Sequence, residues 1–128
     1  MFDRQNFVDR MLETENLTDE LEDEPAKWLI NWGVEQIDIV TDGIDDEELA
    51  SEQVGNLMRF MRRLNRIAGN MDSLTAEDLR ELLDRHTSAF GASRTASEEE
   101  MTATAGRLSS MSPFEVLEFL ITWAQASE

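Results

Sequence analysis

Apolar residues recur along this chain at three- and four-residue intervals, the period of an amphipathic helix. Phe7, Val8, Met11 and Leu12 share one stripe and predict a first helix over Asp3 to Glu13. A polar segment from Thr14 to Glu24 follows and allows one helical turn around Leu17 and Leu21. Pro25 suits the first turn of the next helix, where its missing N–H costs nothing. That helix is expected to reach about Asp42, with Gly43 as its stop. Trp28, Leu29, Ile30, Trp32, Val34, Ile37 and Val40 spread round more than one of its faces, so it is expected to be central.

The acids of Asp45 to Glu48 open a third predicted helix, where the positive end of the dipole favours them. Val54, Leu57, Met58, Met61, Leu64, Ile67 and Ala68 form its stripe, and Gly69-Asn70 ends it. Thr75, with Asp78 three residues on, caps a fourth helix carrying Leu79, Leu82, Leu83, His86 and Phe90 up to Gly91. Residues 91–97 are small and polar and read as a flexible linker. Ser97 and Glu100 make a capping box for a fifth helix. Its thin stripe of Met101, Thr104, Ala105 and Leu108 places it at the periphery. Ser112-Pro113-Phe114-Glu115 is the clearest start signal in the chain. The helix it opens holds eight apolar residues in the twelve positions from Pro113 to Ala124.

No sustained period-2 alternation and no fixed-period repeat interrupts this pattern. The expected fold is all-α: a single compact domain over 1–128, of five to six helices in an irregular or orthogonal bundle. An up-down four-helix bundle is the alternative. The segment 1–24 is expected to fray.

Charge changes the picture. The chain of 128 residues carries 28 acids and 11 bases, a net charge of −17. Such a field repels nucleic acid and anionic lipid, so direct binding to either is disfavoured. Lys27 is the single lysine among those bases. Arginine as the chosen base beside many carboxylates suits a salty cytoplasm, or alternatively a basic partner.

Arg59, Arg62, Arg63 and Arg66 stand at i, i+3, i+4 and i+7, so they share one helical face. They are the candidate site for a partner or anion, because each guanidinium offers a fork of donors to carboxylate or phosphate. The competing reading pairs them with the chain's own acids, from the first segment or from Asp45–Asp46. The acidic runs Asp19–Glu24, Asp45–Glu48 and Glu98–Glu100 read first as solvated helix starts and second as docking sites for a basic partner.

The last helix has more apolar residues than one stripe needs. Either it lies at the bundle centre, or Phe114, Leu117, Phe119, Leu120 and Trp123 meet a second chain in a homodimer.

Catalytic and metal signals are weak. The chain has no cysteine and one histidine, His86, which reads as half-buried and structural. Asp38, Asp42 and Gly43 match part of a calcium loop, but its twelfth position is Leu49, so no calcium site is expected. No nucleotide-binding or hydrolase motif occurs, and no cofactor is expected. The start, Met1-Phe2-Asp3-Arg4, lacks a basic region before an apolar run, and no stretch is apolar enough for a membrane span. The expectation is a cytoplasmic, non-catalytic interaction or adaptor module. An acidic regulator or nucleic-acid mimic, or a carrier or enzyme with an inter-helix pocket, are the alternatives.

Overall fold

The computed structural model describes residues 5, 6, 9 and 21–125. Five α-helices run through them, with no strand among the described residues. They are α1 (Asp23–Val40), α2 (Glu47–Gly69), α3 (Ala76–Phe90), α4 (Glu98–Leu108) and α5 (Pro113–Gln125), with a short 3-10 turn at Met71–Ser73. Together they form one compact bundle around a single apolar core.

The helix expected over Asp3 to Glu13, and the turn around Leu17, lie largely outside the described residues. Of the former, Gln5, Asn6 and Asp9 are helical, and Gln5 Nε2 donates to Asp9 Oδ1 at 3.0 Å. Asp23 and Glu24, assigned from the sequence to the fraying segment, instead form the first turn of α1.

The centre of the bundle is α2, which packs against α1, α3 and α5. Its expected stripe from Val54 to Ala68 is buried throughout, and Ala50, Phe60 and Asn65 are buried beside it. Phe60 is the largest fully buried side chain. Its ring meets those of Trp32 at 5.8 Å, Phe90 at 6.0 Å and His86 at 5.2 Å between centroids. Burying a residue of this size contributes roughly 1.5–3 kcal/mol.

The central place expected for α1 goes to α2 instead. Pro25, Leu29, Gly33, Ile37 and Val40 make one buried stripe on α1. Trp28, Ile30, Trp32 and Val34 flank it half-buried, and Ile39 stays 60% exposed. Among the described residues its main packing partners are α2 and α5. The helix stops at Val40, three residues before Gly43, and Thr41 caps it with its hydroxyl donating to the Ile37 carbonyl at 2.6 Å. Gly43 serves the following turn, at φ +76°.

The remaining caps fall where the sequence places them. Thr75 and Asp78 form a reciprocal box at the start of α3, and Gly91 ends that helix at φ +82°. Only half of the box expected at Ser97 and Glu100 forms: Ser97 accepts from the Glu100 N–H at 3.1 Å, while the Glu100 carboxylate pairs with Arg94. Ser112 donates its N–H to Glu115 at 3.0 Å and accepts the Glu115 N–H at 3.3 Å. The Ser112 N–H, and then its hydroxyl, hold the Glu115 carboxyl below the usual range. As expected, α4 is peripheral, burying Met101, Thr104 and Leu108 mainly against α3.

In α5, Leu117, Leu120 and Trp123 are buried within the same chain. The bundle's own core therefore absorbs most of the apolar surplus of this helix. Phe114 and Phe119 keep partial exposure, and their rings meet Trp28 and the Arg107 guanidinium.

Segment 91–97 is irregular but tied at several points. Ala92 accepts from His86, and Ser93 shares a 2.7 Å hydrogen bond with Thr87. The Arg94 N–H donates to the Ala124 carbonyl at 3.0 Å, and its guanidinium lies over Trp123 and pairs with Glu100. These bonds fasten the connector to both α3 and α5.

Candidate functional site in an arginine-lined cleft

Residues Glu52, Gly55, Asn56, Arg59, Arg62, Arg63 and Arg66 recur at three- and four-residue steps on α2, opposite its buried stripe. Helix propensity does not require arginine there; any polar residue satisfies a solvated face. The neighbouring α3 runs antiparallel. Gln53 Nε2 donates to the Ala89 carbonyl at 2.6 Å, whereas Arg63, further along α2, pairs with Glu81 at 2.5 Å. Rising numbers on α2 thus meet falling numbers on α3. This register sets Arg85 across from the turn that carries Arg59 and Arg63.

The result is a cleft of about 290 Å³ lined by Arg59, Arg62, Arg63, Arg66 and Arg85. The four candidate residues from the sequence are all brought together, and α3 adds the fifth. Arg85 escapes sequence reasoning because only the pairing of two helices reveals it. The usable signal is its place beside the apolar stripe of α3, next to His86, since residues flanking a stripe line the helix–helix seam.

Among the described residues, carboxylates are scarce inside this cleft. Glu81 pairs with Arg63, and Arg59 donates to the Asn56 side-chain oxygen at 2.5 Å. Among the described residues, Arg59, Arg62, Arg66 and Arg85 form no ion pair. Two acids at the starts of α2 and α3 are occupied elsewhere. Asp46 accepts the Glu48 and Leu49 N–H groups as the N-cap of α2, and Asp78 accepts from the Thr75 N–H and hydroxyl. Pairing through Asp45–Asp46 therefore does not occur through Asp46. Most of the first segment lies outside the described residues.

The acidic runs take up the duties of helix starts. Asp23 and Glu24 sit in the first turn of α1, Glu47 and Glu48 in that of α2, and Glu98, Glu99 and Glu100 in that of α4.

His86 is buried rather than half-buried, at 3% exposure, in the cage of Phe60 and Phe90. Burial lowers its pKa, and the hydrogen bond with Ala92 opposes part of that shift. Its neighbours include no nucleophile within hydrogen-bonding reach among the described residues. Nor does any group of three acidic or histidine side chains among them sit where it could hold a metal ion. Among the described residues, no helix is long and apolar enough to cross a membrane.

No protein-family model matches this chain, and no match to it was found among curated proteins or solved structures.

Proposed function

We propose that this protein is a non-catalytic interaction module that captures an anionic segment of a protein partner in the cleft between α2 and α3. One observation carries the proposal: five arginines line a single cleft, and among the described residues only Arg63 meets a carboxylate there. Like charges at i, i+3 and i+4 repel, each pair costing about 0.2–0.5 kcal/mol. An incoming anion offsets that repulsion.

The net charge of −17 shapes the selectivity. Its long-range field repels a long polyanion, so nucleic acid is a poor ligand. A short acidic segment reaches the guanidinium groups within about one Debye length, roughly 8–10 Å at moderate salt. The cytoplasmic expectation goes with this role. Self-association through α5 has less in its favour, because Leu117, Leu120 and Trp123 are buried and have little surface to offer a second chain.

Binding of a labelled peptide rich in aspartate and glutamate, followed by fluorescence polarisation, tests the role. Wild-type protein should bind it, more weakly as salt rises. A variant with Arg59, Arg62, Arg66 and Arg85 all changed to alanine should lose binding while melting normally. Equal binding by the two proteins overturns the proposal.

A further inference from the structure

Building on the anion-capture reading above, we infer that the cleft selects a phosphorylated side chain, so that the partner is a protein segment carrying a phosphomonoester. Three observations carry the inference.

The first is donor type. Every described residue lining it is arginine, and Lys27 lies away on α1. Guanidinium forks bind both carboxylate and phosphate with two parallel hydrogen bonds, so donor type selects an oxyanion and the next two observations separate the two. The second is convergence. The side chains come from two antiparallel helices onto one concavity, not from one helix onto a flat face. A carboxylate presents two oxygens, whereas a phosphomonoester presents three and carries about −1.5 to −2 charges at neutral pH. The cleft of about 290 Å³ accommodates such a group with its linking side chain.

The third is competition from within. The chain carries 28 carboxylates of its own. Among the described residues Glu81 alone pairs inside the cleft, and Asp46 and Asp78 are committed to backbone caps. A ligand that displaces local carboxylates must bring more charge per group than they do. A phosphate dianion does so. Nucleic acid also carries phosphate, but among the described residues no aromatic ring lines the cleft to stack a base.

The test uses the full chain and three labelled peptides of glycine and serine that differ at one position: serine, glutamate or phosphoserine. Polarisation is read at pH 7.5 and 5.5, with inorganic phosphate and single-stranded oligothymidylate as competitors. The phosphoserine peptide should bind at least about tenfold tighter than the glutamate peptide. Its affinity should fall severalfold at pH 5.5, because the second phosphate ionisation lies near pH 6. The glutamate peptide stays ionised over that range and reports any effect of pH on the protein itself. Arg85→Ala should weaken the phosphopeptide about tenfold and leave the melting temperature in place. Equal affinity for glutamate and phosphoserine overturns the phosphate selection and leaves anion capture standing. No binding by either peptide overturns both. Stronger displacement by oligothymidylate than by unlabelled phosphopeptide also overturns the inference.

Discussion

His86 Nδ1 lies 2.7 Å from the carbonyl oxygen of Ala92. A carbonyl only accepts, so Nδ1 carries the proton, and in the neutral ring Nε2 carries a lone pair. Nε2 is buried with no hydrogen-bond partner among the described residues. Charging the ring therefore buries a second N–H with no acceptor for it among the described residues.

A pH dependence follows from that geometry. The folded pKa of His86 lies below 6.5, chiefly through burial, so below pH 6.5 the unfolded chain binds the proton more readily. The stability from burying neutral His86 is whole above pH 6.5 and declines as pH falls from there towards the folded pKa. Urea unfolding at pH 7.5 and 5.5 should show a lower midpoint at the acid value. His86→Leu should narrow that gap, and an unchanged gap would assign the acid sensitivity to other groups.

Phe60 is the side chain whose loss should be felt most. Its ring is fully buried and joins α1, α2 and α3 through Trp32, His86 and Phe90. Phe60→Ala should cost about 3–5 kcal/mol. Chemical denaturation measures it, and a cost below about 1 kcal/mol, the scale of an ordinary surface change, would contradict the assigned core.

The arginine stripe should behave in the opposite way. Arg62 and Arg66 are exposed and form no ion pair among the described residues. Replacing both by alanine should leave the thermal midpoint unchanged or raise it, since repulsion between neighbours is relieved. Glu81→Gln removes the carboxylate facing Arg63 and should lower the midpoint slightly, because it leaves the five guanidinium groups with less compensation. A marked loss of stability in the Arg62/Arg66 variant would mean the stripe is held by internal pairing.

The caps give two further tests. Ser112→Ala removes the acceptor of the Glu115 N–H and should cost about 1 kcal/mol. Gly91→Ala places a Cβ at φ +82°, where an L-residue is strained by about 1–2 kcal/mol. No neighbouring atom crowds the position, so the cost comes from backbone conformation alone. Thermal unfolding of each variant separates these modest losses from the large one at Phe60.

Molar salt should raise the midpoint of the wild type steeply. The 28 carboxylates repel one another, and salt shortens the reach of that repulsion to about 3 Å at 1 M. A flat response would remove the case for a salty setting.

The parts of the fold set by short-range rules are the parts that can be read from the sequence. Thr75 with Asp78, Ser97 with Glu100 and Ser112 with Glu115 each act within three residues, so their spacing alone announces the helix starts. The buried stripe of α2 is legible for the same reason. Phe60 is not, because it stands between Arg59 and Met61 on the edge of that stripe, and only the packing of α1 and α3 covers it. The apolar content of α1 suggests a centre it does not occupy, since composition counts residues and not neighbours. At the site, four of the five arginines show in the helical period. Arg85 needs a register between two helices, which no single-helix pattern encodes.

That register also bears on how the cleft is assembled. Its two walls are consecutive helices joined by the brief turn around Met71–Ser73, and the ties Gln53–Ala89 and Arg63–Glu81 span modest stretches of chain. Contacts between consecutive helices close shorter loops than contacts between distant ones. The cleft walls belong to one local hairpin, so hydrogen exchange should find residues 57–66 and 79–86 opening as a single unit. Fraying of the outer helix α4 would then leave the arginine cleft in place.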